Sequence, residues 1–302
     1  MALLPLLLVA VLIAAVAAGT AALRRSGPSR ETTVAGARRH AAATVLLALV
    51  AGLVAAGWAA VQGGDLGGGG TGSGSRAVML APIAFGVVHT LVLTLGELTW
   101  PRPAGQLRRA RLVHRGPLDA APRWLVRATG AAVATAAVTV LLGCALGSEH
   151  GRRFTYQGRT PQGLVESVGG PFPGTFYGIP AATGLLVLAV ASAGALRVVA
   201  TRAAVVTTDA RVEETLRRAS AHRVLRVAAG VPLAVSGGLL FFAGHAVRTA
   251  AQGVALNGGA GPGLVGTAGG VVWALGALIG LAGLVVLCVP APGVPADEPV
   301  AA

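Results

Sequence analysis

The chain contains no lysine: all 24 of its basic residues are arginine. Asparagine occurs once, at Asn257, and cysteine twice, at Cys144 and Cys288. Only 12% of the 302 residues are charged and 4% are aromatic. An ordinary soluble domain carries about 25% charged residues, so a water-soluble fold is excluded, and with it intrinsic disorder. Two cysteines exclude a disulfide scaffold. Arginine has GC-rich codons and lysine does not. The missing lysine therefore reflects a high-GC bacterial genome, and no Arg-for-Lys chemistry is read from it. What the chain does have is 54% hydrophobic residues and a mean hydropathy of +0.73.

A membrane-spanning helix needs about 20 mostly apolar residues. Seven segments qualify: 2–23, 41–62, 77–97, 128–147, 180–200, 224–247 and 264–289. The arginines between them alternate. Arg24, Arg25, Arg30, Arg38 and Arg39 fill the first connection, seven more from Arg102 to Arg127 the third, and seven from Arg197 to Arg226 the fifth. The opposite side has Arg76, Arg152, Arg153, Arg159 and Arg248. The arginine-rich side is cytoplasmic by the positive-inside rule. The expected fold is all-α: one domain of seven transmembrane helices over 1–290, N-out and C-in, with a short tail at 291–302. The first segment lacks a basic n-region, so it reads as an uncleaved helix and not a signal peptide. The expected location is the bacterial plasma membrane.

The net charge of +13 would point to nucleic acid in a soluble protein. Here the arginines flank apolar segments, so the expected partners are the bilayer and its anionic lipid head groups. Nucleic acid is not expected. Gly105–Arg115 can form a short basic amphipathic helix on that surface. Residues 209–223 also read as a helix running into the sixth segment, with Glu213→Arg217 and Glu214→Arg218 as i,i+4 pairs.

On the other side, residues 63–75 form a glycine-serine linker, and 252–263 are also glycine-rich. The 148–179 loop holds Phe154, Tyr156, Phe172, Phe176 and Tyr177. It reads as an aromatic cap on the interface, or as a lid over an outward pocket. Trp58, Trp100 and Trp124 fit interfacial belts. Cys144 and Cys288 fall near opposite faces, too far apart to pair.

The seventh segment carries Gly266, Gly269, Gly276, Gly280 and Gly283, with Trp273 among them. The spacings of three and four make a helix-packing seam, which could serve the fold, a homo-oligomer or another membrane protein. Trp273 would insert into a neighbouring helix or line a pocket. The sixth segment has a matching stripe of Gly230, Ala234, Gly237, Phe241 and Gly244, and Pro232, which would kink or hinge it.

Ionisable groups inside a bilayer are functional candidates. His89 falls mid-depth in the third segment and Glu97 at its inner end; His245 lies near the outer end of the sixth. His89 either hydrogen-bonds across helices or contacts a proton or substrate. No phosphate-binding loop, dinucleotide fingerprint or credible zinc spacing occurs. No catalytic residue, metal or other cofactor is expected.

Three resemblances follow from these residues. The plan of three spans, one linking span and three spans, with Arg38-Arg39 before Val45-Leu46 as Arg217-Arg218 before Val224-Leu225, resembles parallel-repeat transporters of the SWEET sugar-carrier type, though their proline-glutamine motifs are missing. Glu213-Glu214-x-x-x-Arg218 and Phe241-x-x-x-His245 resemble the paired motifs of CAAX-protease-like intramembrane peptidases. That resemblance implies a metal held between the motifs. The threading instead puts Glu214 inside and His245 outside. Finally, GELTWPRP (96–103) and PFPGTFYGIP (171–180) resemble segments of integral membrane proteins of high-GC Gram-positive bacteria, which implies a location and no activity. The expected function is a small transporter or permease-like protein. The alternative is a non-catalytic membrane scaffold or sensing subunit, and the remote one a peptidase.

Overall fold

The computed structural model describes residues 32–62, 73–100, 116–148, 150–161, 163–205, 210–259 and 261–293. The expected first span at 2–23, the basic stretch 105–115, residues 63–72 of the linker and 294–302 of the tail lie outside them. The elements are α1 (Thr32–Gln62), α2 (Ser73–Leu98), α3 (Arg123–Leu146), β1 (Phe154–Thr160), β2 (Gly163–Gly169), α4 (Thr175–Thr201), α5 (Ala210–Leu256) and α6 (Gly263–Cys288). All six helices are long and apolar enough to cross a membrane. The remaining expected span, 2–23, falls on residues not described.

The helices begin earlier than hydropathy places them, because polar residues join their first turns. Arg38 and Arg39 are helical in α1, and Arg123 opens α3. Pro180 marks no start: α4 begins at Thr175 and runs through it. Near a helix N-terminus, proline removes few hydrogen bonds.

α5 organises the fold. At 47 residues it extends about 70 Å, over twice the roughly 30 Å hydrocarbon core. It packs against α2, α3, α4, α6 and both strands. In its most apolar stretch 67% of residues are buried, against 11–33% in the other helices. Val227, Val231, Val235 and Leu239 face Ile83 of α2 and Tyr177, Ala181 and Leu188 of α4.

Side-chain neighbours fix the helix directions. Gly184 abuts Ile83 and Gly86 abuts Leu188, so α2 and α4 run the same way. Gly86 also meets Val231, and Ser220 reaches Glu97, so α5 runs opposite to α2. Trp124 lies beside His222 and Thr129 bonds Leu225, so α3 runs with α5. The starts of α1, α3 and α5 and the ends of α2, α4 and α6 therefore share one end of the bundle. The described arginines of the three arginine-rich connections gather there.

The fold is all-α, with one small hairpin at the opposite end of the bundle. The 148–179 connection contains an antiparallel hairpin, with Phe154 opposite Gly169 and Thr160 opposite Gly163. The hairpin lies on the last turns of α5. Gly169 sits on the Ala246 carbonyl and Gly158 on Val254. Its aromatics turn inward. Phe172 and Tyr177 are buried, Phe154 stacks on Phe172 at 5.5 Å, and the Arg152 guanidinium covers the Phe176 ring at 3.8 Å. Gly151, at φ +71°, turns the chain hard against the backbone of Thr175 and Phe176. Residues 252–256, expected as linker, continue α5.

α5 and α6 form an antiparallel pair joined at three glycine-glycine contacts: Gly230 with Gly283, Gly237 with Gly276, and Gly244 with Gly269. Each row advances by seven residues. A seven-residue repeat keeps one seam facing its partner along two helices that supercoil left-handed. Without side chains between them the backbones touch, and contact area replaces the hydrophobic effect, which is weak between helices in lipid.

Candidate functional site

Two polar groupings stand out in this apolar bundle. The larger lies at the arginine-rich end, where α2, the segment after α4, and α5 meet. Glu97 closes α2. Its Oε1 accepts from the Ser220 hydroxyl at 2.6 Å, and its Oε2 from the Trp100 indole N–H at 2.6 Å. Arg202 Nε lies 3.1 Å from the same Oε2, and its other arm reaches Glu213 Oε1 at 3.2 Å. The Arg202 guanidinium also sits 4.9 Å from the centre of the Trp100 ring, within cation–π range.

Glu213 lies in the first turn of α5. It pairs with Arg217 Nε at 2.8 Å and accepts the Val205 amide at 2.9 Å. Arg217 then donates to the carbonyls of Val199, Ala200 and Arg202, at 2.7, 3.0 and 2.8 Å. These are orphan acceptors at the end of α4, so one guanidinium caps that helix and joins it to α5. The Arg217 and Glu213 side chains are 2% and 6% exposed. The neighbouring pair, Glu214 and Arg218, is open to solvent at 3.7 Å. Rather more than two turns further along α5, Arg226 donates to the Val289 carbonyl just past α6 at 3.1 Å.

Of this assembly, sequence reasoning singled out Glu97 and the i,i+4 spacing, and it missed the burial and the role of Arg202. A signal was present. Glu213, Leu216, Arg217 and Ser220 fall within about 100° of one another on a 3.6-residue helix, so burying Leu216 buries the ion pair.

The smaller grouping is mid-bundle. His89 is 2% exposed, Thr90 0% and Ser192 5%. His89 Nδ1, Thr90 Oγ1 and Ser192 Oγ have no hydrogen-bond partner among the described residues. His89 stacks on Phe85 at 5.3 Å. The parallel contacts Ile83–Gly184 and Gly86–Leu188 set Thr90 of α2 level with Ser192 of α4. Unsatisfied polar groups in an apolar interior cost about 1–3 kcal/mol each.

Other candidates lie apart. His245 is exposed. Trp273 is 39% exposed and rests on Phe241 at 5.2 Å. Gly266, Gly269, Gly276 and Gly283 are buried; Gly280 is half-buried over Gly237. Pro232 is buried within the continuous α5, where Ser236 bonds its carbonyl at 2.6 Å. Cys144 and Cys288 are both free thiols.

The same continuous helix carries Glu214 and His245, 31 residues apart, or roughly 45 Å. Metal ligands lie about 2 Å from one centre, so these two cannot share a metal. Among the described residues no three His, Cys, Asp or Glu side chains come together in a way that could hold one.

The protein is a multi-pass membrane protein. Six apolar helices of spanning length carry that conclusion. Comparison with protein-family models, curated proteins and solved structures finds no match.

Proposed function

We propose that this chain is a small permease-like transporter for a polar solute, with seven spans, N-out and C-in, in the bacterial plasma membrane. The observation that carries the reading is the unpaired trio His89, Thr90 and Ser192 within the membrane-spanning bundle. Packing alone gives no reason to keep three unsatisfied polar groups in hydrocarbon, whereas a passing proton, water or solute group would complete them. The Glu97–Arg202–Glu213–Arg217 assembly then closes the cytoplasmic end, and Pro232, where α5 lacks one backbone hydrogen bond, is the point at which that helix can bend.

The test is flux. Purified protein is placed in liposomes loaded with a pH-sensitive dye, a membrane potential is imposed, and sugars, amino acids and organic acids are added in turn. One solute class is expected to drive a flux that His89→Ala abolishes while the unfolding midpoint is kept. A flux indifferent to His89→Ala, or no flux with any solute, overturns the proposal.

A second reading, a scaffold or sensing subunit, is favoured by a different observation: the backbone-tight α5–α6 seam. It requires partner proteins that co-purify, and tolerance of His89→Ala.

A further inference from the structure

One side of α1 is uncovered by the described residues. Inward, Ala48 is fully buried and Gly52 rests on Phe85 of α2. Outward, Leu47, Val50, Val54 and Val61 are exposed, Ala43 is exposed as well, and a methyl group on Gly57 would meet no atom within 4 Å. These six residues fall within about 80° of one another on a 3.6-residue helix. Their spacing alternates between four and three, as in a helix-packing seam.

The chain itself holds an occupant for this face. Residues 2–23, outside the described residues, are the remaining apolar stretch of spanning length. Eight residues, 24–31, separate that stretch from α1. Helices joined by so short a connection pack as antiparallel neighbours. The bilayer sets their register. Segments 2–23 and 41–62 are both 22 residues long, and both must occupy the same hydrocarbon layer. Leu23 therefore comes level with Ala41, and Ala2 with Gln62. The connection then has to descend about 14 Å to Thr32 and cross about 10 Å between helix axes. Eight residues reach about 27 Å, so the connection closes.

In that register the two surfaces are complementary. Ala10, Ala14 and Ala17 come level with Val54, Val50 and Leu47, and Leu7 with Gly57. The four residues of the segment also share one face, since their spacing alternates between three and four. A small residue meets a larger one at each level, which is how facing helices interdigitate. The open space over Gly57 is where the Leu7 side chain fits.

We infer that the outward face of α1 is the docking surface for residues 2–23 of the same chain, packed antiparallel with Ala14 against Val50. The inference rests on the seven-span part of the proposed function and needs no transport activity.

The full chain, with Cys144 and Cys288 replaced by alanine, is oxidised in membranes. Ala10→Cys/Val54→Cys and Ala17→Cys/Leu47→Cys are expected to cross-link within one chain, seen as a shifted monomer band that reductant restores. Ala17→Cys/Val54→Cys is out of register by about 10 Å, and Leu12 lies on the far face of the segment from Ala10. Ala17→Cys/Val54→Cys and Leu12→Cys/Val54→Cys should therefore stay reduced. Gly57→Leu fills the space for Leu7 and should suppress the Ala10–Val54 cross-link. A cross-link only between two chains means that a second copy covers the face. No cross-link in either in-register pair means that lipid does. Each result overturns the inference, as do equal cross-links in the control pairs. Labelling of Ala2→Cys in intact cells by a membrane-impermeant maleimide separates the causes. Labelling without cross-linking overturns the docking alone, whereas neither labelling nor cross-linking overturns the seven-span reading with it.

Discussion

Gly237 and Gly276 meet backbone to backbone: a methyl group on Gly237 would lie 2.7 Å from the Gly276 carbonyl oxygen, and one on Gly276 2.8 Å from that of Gly237. Neither helix can yield without moving as a whole, since the obstacle is main chain. Gly237→Ala is therefore expected to destabilise the protein by about 1–3 kcal/mol, as overpacking does. The adjacent Gly238 has no atom within 4 Å of such a methyl. Gly238→Ala should be neutral, or stabilising by up to about 1 kcal/mol through helix propensity. Denaturation midpoints in one detergent compare the two. Equal midpoints would mean that α5 and α6 do not touch at these glycines.

How this seam reads from sequence shows what was legible. The glycines of both helices repeat at helical spacings, so their stripes are visible residue by residue. Their mutual register is not, because it depends on where Gly258 and its neighbours turn the chain. The spans were legible from hydropathy, and the continuity of α5 from the i,i+4 charge pairs before it. The hairpin was not. Its strands, FTYQGRT and GLVESVG, are short and mixed in polarity. They gain their pairing partly by lying on α5, a contact with no local signature. The Glu97–Arg202 ion pair joins residues 105 positions apart. In sequence Arg202 appeared only as a flanking charge at a membrane boundary, and Glu97 as a lone candidate at the inner end of its span.

Arg217 and Glu213 form a buried pair, and the cost of breaking it is set by what remains behind. Arg217→Met removes three bonds to carbonyls at the end of α4 and the 2.8 Å ion pair to Glu213, whose Oε1 keeps Arg202 at 3.2 Å. Removing one partner of a buried pair costs about 3–5 kcal/mol. Adding Glu213→Gln to Arg217→Met should recover part of that loss, because the stranded charge goes with it. Glu214→Gln, in the exposed pair, should shift stability by no more than about 0.5 kcal/mol. Urea or thermal midpoints of the four proteins test the ordering. A double variant worse than Arg217→Met alone would show that the stranded carboxylate is not the source of the loss.

The hairpin gives the third prediction, because its contact with α5 can be trapped covalently. A Cβ placed on Gly253 lies 3.1 Å from the Cβ of Ser167. Disulfides span about 3.5–4.5 Å between these atoms, so a shift of a few tenths of an ångström suffices. With Cys144 and Cys288 replaced by alanine, Ser167→Cys/Gly253→Cys should cross-link on mild oxidation. The cross-link appears as a band shift reversed by reductant. Val168→Cys/Gly253→Cys is the control, since neighbouring strand residues point to opposite faces, and it should stay reduced. Cross-linking of both pairs alike would mean that β2 slides over α5 rather than docking in one register. Failure of the Ser167 pair would mean that the hairpin does not rest there at all. Because Gly253 lies close to the end of α5, success would also place residues 154–169 on the side of the membrane opposite Arg217, provided that α5 crosses the bilayer.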